Sequence, residues 1–192
     1  MYRAETERKE LSKTSASIED YYRSLEMSLV IGKGDSFSIP RISQLTQKTN
    51  QFNLTARRYS EAEVADFCNS DGIDVFHLRL VDRFGDSGIV GVAIIKYSHD
   101  EAVIDSFILS CRVLGRGVEN AFLNFCCNKM FERGTARIIA QYLPTRKNTQ
   151  TSDFYARAGF AQTKCSNEEK QFMLNSPKEL AKAPEWFKIT YG

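Results

Sequence analysis

Three observations predict an α+β fold, with a mixed, mainly antiparallel sheet flanked by helices. Three β-branched apolar runs, Val75 to Val81, Ile89 to Tyr97 and Ala102 to Ser110, are separated by turn signals at Gly85/Gly88 and Ser98 to Asp100, the pattern of a meander. The third run leads through Arg112-Val113-Leu114-Gly115-Arg116-Gly117 into apolar residues at helical spacing: Val118, Ala121, Phe122, Phe125, Cys126 and Met130. Strand-like Ile138 to Leu143 then precedes a short helix and a last hairpin, Phe160 to Cys165 with Gln171 to Leu174.

The remaining elements can be justified in chain order. Met1 to Lys13 is charged and reads as a helix, and Ser17 opens a second one carrying Ile18, Tyr21, Tyr22 and Leu25, with Asp20 placed almost as in a capping box. Leu29 to Ile31 is strand-like. Gly32-Lys33-Gly34 is expected to turn the chain, because the third glycine of a dinucleotide fingerprint is missing. Ser38 to Thr49 reads as a helix with Pro40 in its first turn, and Ser60-Glu61-Ala62-Glu63 is a capping box for the next. Gly159 is placed to end the short helix of Asp153 to Ala158, with Phe160 opening a strand.

A glycine-rich loop that delivers its residues to a helix start has the makings of an anion cradle. Unpaired N–H groups and the positive end of the helix dipole favour negative charge there, and residues without Cβ allow close approach. The alternative is a tight strand-to-helix turn. Charge asymmetry bears on the choice: from Phe107 to Cys165 nine Lys or Arg face three acids, although the net charge of the whole chain is only +2. The basic half is the half with the cradle, which suits the phosphates of a nucleotide thioester or an acidic carrier protein. No basic stripe interleaved with aromatics points to nucleic acid.

With 192 residues, 42% of them hydrophobic, the chain can build one sizeable core. No apolar run approaches the roughly 20 residues that span a bilayer, and polar Met1 to Glu10 does not read as a signal peptide. Five cysteines without metal-ligand spacing fit a reduced, cytoplasmic setting with no metal site, and Cys111 reads either as a reactive thiol beside the cradle or as an inert buried one.

The pair R-x-x-G-x-G (Arg112 to Gly117) and Asn148…Phe154-Tyr155-x-x-x-Gly159-Phe160 resembles the GNAT acyltransferase superfamily. Leu45 to Tyr59, Asp82 to Asp86 and Leu109 to Gly117 further resemble the carboxy-terminal, GNAT-like region of FkbH-type proteins, which make methoxymalonyl- and glyceryl-acyl-carrier-protein extender units for polyketides. The resemblance implies a GNAT-like fold over 26–192, with 1–25 as a connector from a haloacid-dehalogenase-like domain. That domain's D-x-D motif is missing here, since neither Asp71 to Asp74 nor Asp82 to Asp86 has its spacing. It also implies coenzyme A or a phosphopantetheine thioester as cofactor, with an acyl carrier protein as partner. Leu109, Cys111, Arg112, Val113, Leu114, Gly115, Arg116, Gly117 and Val118 would bind it together with Asn148 and Phe154. Three functions stay open: an acyltransferase-like thioester domain, a noncatalytic carrier-protein docking module and a free-standing N-acetyltransferase of a small amine.

Acyl transfer needs a base, an oxyanion donor and a stabilised thiolate. Asp105, mid-strand ahead of the cradle, is the candidate base, with a structural carboxylate paired to an Arg as its alternative. Tyr155 is the candidate donor near the thioester sulfur, with aromatic packing as its alternative. His77 between Phe76 and Leu78 reads as half-buried, and Glu119 as a first-turn acid favoured by the dipole. Asn50, Gln51, Phe52, Asn53, Arg57 and Arg58 lie in the connection that the resemblance implies shapes the acceptor pocket, where the arginines suit a carboxylate or phosphate. The other possibility is a self-capped loop whose arginines pair with Glu61 and Glu63.

Overall fold

The central apolar runs form strands that are buried almost continuously, because the sheet is covered on both faces. The computed structural model describes residues 2–192, so Met1 of the expected first helix lies outside the described residues. Helices Tyr2–Thr14 (α1) and Ile18–Ser24 (α2) precede strand Ser28–Lys33 (β1), and helices Ile39–Lys48 (α3) and Glu61–Cys68 (α4) follow it. The meander is Ile73–Asp82 (β2), Gly85–Ser98 (β3) and Glu101–Leu109 (β4). Then come Val118–Glu132 (α5), Arg137–Tyr142 (β5), Phe154–Arg157 (α6), Ala161–Cys165 (β6), Lys170–Leu174 (β7) and Lys188–Tyr191 (β8). The sheet order is β6-β7-β5-β4-β3-β2-β1-β8. It is the mixed, mainly antiparallel α+β sheet that the sequence predicts, with parallel pairs at β4–β5 and β1–β8.

Each face of the sheet buries its own core. Ile42, Leu45 and Val64 of α3 and α4 pack on Val75, Val92, Ile94 and Ile108. On the other face Phe122, Cys126 and Met130 of α5 join Phe76, Leu78, Ala93 and Phe107. Local chemistry sets the boundaries: the Ser60/Glu63 capping box starts α4, and Ser17 Oγ accepts from Asp20 N–H to start α2. Helix α6 ends in a Schellman pattern, Phe160 N–H to Tyr155 O and Gly159 N–H to Ala156 O, with Gly159 at φ +102°. Phe160 is therefore part of this cap and not of β6.

One expectation is corrected. Gly32 and Lys33 belong to β1, not to a turn; a Cβ on Gly32 would lie 2.8 Å from the His77 ring, so the glycine makes room for that ring. In the described part of 1–25, Leu25 is fully buried and Arg8 makes two hydrogen bonds to Asp82. Strand β8, unforeseen in the sequence, pairs with β1 after a strap, 177–187, that crosses α5 and α6. Along the strap Ala181 N–H donates to Ala158 O, and Asn124 Nδ2 donates to Ala181 O.

A Cβ on Gly159 would stand 2.0 Å from Glu179 O of the strap, whereas at Gly115, also at positive φ, nothing lies within 4 Å. Gly159→Ala is therefore expected to cost roughly 2–4 kcal/mol, combining backbone strain and a main-chain clash, and Gly115→Ala only about 1 kcal/mol. Equal losses in urea denaturation of the two variants would show that the strap does not press on Gly159.

Candidate functional site

Strands β4 and β5 run side by side only from Glu101/Arg137 to Ile104/Ala140, and Asp105 sits where they part. A register shift against β3 falls at the same place, between Ile94 and Ile95, making Asp105 the extra residue of a β-bulge. Past it, the inner edge of β4 has lost its partner, and its main-chain groups must be satisfied otherwise.

The connection between α3 and α4 fills the gap. Leu54 N–H donates to Phe107 O at 3.4 Å, Leu109 N–H to Phe52 O at 3.0 Å and Leu143 N–H to Leu54 O at 2.8 Å. Phe52, Asn53, Leu54 and Thr55 are all buried, so this segment acts as a short wedge strand between β4 and the residues following β5. Asn148, 0% exposed, pins it: Nδ2 donates to Asn53 O and Leu143 O, while Oδ1 accepts from Thr145 N–H and Tyr142 OH. Phe154 lies in the core against Phe52 and Phe107. Phe52, Asn53, Asn148 and Phe154, expected to touch substrate or cofactor, are thus the packing and hydrogen bonding that hold the wedge.

Asp105 is 3% exposed, and its carboxylate meets four donors: Arg57 Nη1 and Lys96 Nζ at 2.7 Å, Tyr59 OH at 2.6 Å and Ser106 Oγ at 3.1 Å. Burial works against its ionisation, but Lys96, Tyr59 and Arg57 outweigh it and hold the carboxyl below the usual carboxylate range. Such a carboxylate has little tendency to take a proton at neutral pH. The arrangement matches the structural carboxylate rather than the base. Arg57 also reaches Asp105 O and Gln141 Oε1, so it ties the wedge to β4 and β5. Arg58 pairs with Asn50 at the rim.

Tyr155, 1% exposed, lies among Phe154, Phe160 and Phe172, and its hydroxyl has no hydrogen-bond partner among the described residues. Burial pushes its phenol far above the ordinary value. The ring lies in the core, in the aromatic packing that is the alternative to a donor near a thioester. His77 is held neutral by burial, which lowers its pKa.

In the glycine loop, Gly115 and Gly117 both take left-handed φ, and Gly117 caps α5. Leu109, Val113 and Val118 are buried, while Cys111 and Arg112 are exposed at its start. Cys111 is thus not the inert buried thiol of the alternative reading. Arg116 Nη2 donates to Arg112 O at 3.3 Å, and its Nη1 lies 3.8 Å from buried Asp82. Leu114 packs at the edge of the main core.

The predicted substrate and cofactor segments meet in a groove of about 330 Å³ lined by Arg41, Lys48, Asn50, Gln51, Ser110 and Cys111 among others. No acid lines it. Arg41 and Lys48 escaped the sequence reading because they lie on the solvent side of a helix read for its apolar face. Lys96 and Tyr59 escaped because their approach to Asp105 depends on the bulge and on the fold of the wedge. No helix among the described residues is long and apolar enough to cross a membrane.

This architecture is the GNAT fold. The solved ribosomal-protein-S18-alanine N-acetyltransferase of Escherichia coli matches with a TM-score of 0.58 at 16% identity, covering 82% of this chain and 97% of its own. Spermidine N-acetyltransferase from Vibrio cholerae, in complex with coenzyme A and spermine, matches at 0.60 and 15%, covering 79% and 98%. The PaiA N-acetyltransferase of Thermoplasma acidophilum, in complex with coenzyme A, matches at 0.58 and 14%, covering 78% and 99%. No protein-family model and no curated protein matches the sequence.

Two outcomes follow for the buried polar groups. Tyr155→Phe is expected to leave stability unchanged or raise it by about 1 kcal/mol, because it removes a buried hydroxyl that is unsatisfied; a clear loss of stability would reveal a bond to that hydroxyl. Asp105→Asn is expected to cost about 2–3 kcal/mol near pH 7. Because the folded carboxyl is depressed, its contribution is complete above the unfolded value of about 3.9 and is lost as pH falls through the folded one. Denaturation between pH 7 and 2 should therefore show the gap between wild type and variant narrowing in acid; a constant gap would assign the loss to packing.

Proposed function

We propose that this chain is a thioester-recognition domain of the GNAT fold that docks the phosphopantetheine arm of an acyl carrier protein and does not turn over acyl-coenzyme A. The observation that carries this reading is the wedge of Phe52 to Leu54, whose main chain is bonded on both sides of the gap. The family resemblance would put the thioester sulfur at this splayed end of the sheet. The acid-free groove with Arg41 and Lys48 gives an anionic arm and an acidic carrier surface a place to bind beside it. Extender-unit assembly of the methoxymalonyl or glyceryl type, with a haloacid-dehalogenase-like domain performing the chemistry, is the setting in which the resemblance puts such a module.

A second reading, acyl transfer from coenzyme A, is favoured by the likeness to acetyltransferases solved with that cofactor. It requires the wedge to leave the gap and a base other than Asp105.

Purified chain offered acetyl-coenzyme A with a panel of small amines is expected to consume no thioester. Holo-acyl-carrier protein is expected to bind, and Arg41→Glu with Lys48→Glu to weaken that binding by roughly tenfold or more. Thioester consumption with any amine would overturn the docking reading in favour of transfer, and failure of holo-carrier protein to bind would overturn it outright.

A further inference from the structure

In the glycine loop that should receive a pyrophosphate, Gly115 is engaged by a side chain of the protein itself and Gly117 is covered by the strap. Gly115 N–H donates to Glu119 Oε1 at 3.2 Å, so the cradle already contains an anion supplied by the first turn of α5. The other oxygen of that carboxylate, Glu119 Oε2, is buried and has no hydrogen-bond partner among the described residues. A carboxylate oxygen left dry costs free energy unless something holds it there. The hold is visible: Tyr22 OH donates to Gly115 O at 2.7 Å, and Trp186 Nε1 donates to Arg116 O at 3.1 Å. The two rings that make these bonds lie 5.2 Å apart, centroid to centroid, and so form a clasp over the loop.

The strap completes the cover. A Cβ on Gly117 would fall 2.5 Å from Pro184 Cγ, so the space left by this glycine is used by the strap and not kept for a ligand. Of the loop's two cations, Arg116 is engaged by Arg112 O and by Asp82, which Arg8 also holds, and Arg112 is exposed at the loop's start. A diphosphate arriving here would meet a carboxylate on its first N–H donor and a proline ring over its second glycine.

We infer that Glu119, backed by the clasp of Tyr22 and Trp186, is a specificity determinant that excludes diphosphate-bearing thioesters such as coenzyme A from the glycine loop. Taken with the recognition reading above, on which this selectivity rests, the substrate class becomes a phosphopantetheine arm without a nucleotide, as a carrier protein presents it. A carboxylate held on the loop's N–H repels an arriving diphosphate and occupies the donor that it would use, so Glu119 discriminates by charge and by competition for that donor.

Coenzyme A itself is the probe, measured by titration calorimetry with the whole chain. Wild type is expected to bind it no more tightly than millimolar. Glu119→Gln, which keeps shape and removes charge, and Glu119→Ala, which also removes the occupant, are each expected to tighten binding by tenfold or more; Trp186→Ala should do so by opening the clasp. Thermal unfolding of each variant reports whether it is folded, and the near-isosteric Gln variant guards against loss of structure in the others. Micromolar binding by wild type would overturn the inference, and so would less than tenfold tightening in the folded Gln and Ala variants. This outcome is read without any carrier protein, so failure of the docking reading and failure of the selectivity are separate results.

Discussion

The parting of β4 from β5 at Asp105 is the constraint on which the rest of the site depends. A parallel pair that separates inside a sheet leaves a row of main-chain donors and acceptors, and a buried row of that kind must find partners. This chain satisfies it with its own backbone: Phe52 to Leu54 bridge the two sides, and Thr55 Oγ1 and Arg57 Nη1 supply further donors to Asp105 O. The bulge that creates the opening also turns Asp105 toward Tyr59 and Lys96, so one irregularity in β4 produces both the gap and the charge cluster that anchors its filling. Polar residues that looked like a substrate-binding loop are in large part the apparatus of that anchoring.

Periodicity and turn chemistry made most of the fold legible in advance. The meander could be read from its β-branched apolar runs and turn signals, α4 from its capping box and α6 from Gly159, because each signal lies within a few residues of the element it specifies. Strand β8 and the strap were not legible: 177–187 bears no period, and its position is set by contacts with Ala158, Asn124 and Gly117 far away in the chain. Gly32 misled for the opposite reason. A Gly-Lys-Gly run after a strand looks like a turn until the neighbouring strand is known to place His77 over Gly32.

Legibility of the site was divided in the same way. Arg112 to Gly117 were correctly placed as a strand-to-helix loop, in which the structure shows Gly115 and Gly117 at left-handed φ. Whether a cradle is open, however, is a property of what packs on it. Glu119 was read as a helix-dipole acid, a role compatible with its place in the first turn of α5, yet its carboxylate also bends back to Gly115 N–H. Tyr155 and Asn148 occupy motif positions that the resemblance associates with a cofactor, and burial converts both into interior residues. A motif records residue types at intervals; the accessibility of those residues is decided by elements that the motif does not contain.

The strap also gives the molecule a part whose stability differs from that of its core. Strand β8 joins Lys188 to Ser28 across most of the chain, and all four of its residues are exposed. A segment with few buried contacts opens locally at a free energy well below that of global unfolding, and a pairing between such distant residues forms late because its loop must close first. Amide hydrogens of β8 and of the strap therefore exchange through a fraying motion of their own, while those of β2 to β4 await unfolding of the whole sheet. The second half of the glycine loop, at Arg116 and Gly117, touches Trp186 and Pro184 of the strap, so what rests on it there is tied to the breathing of a sheet edge.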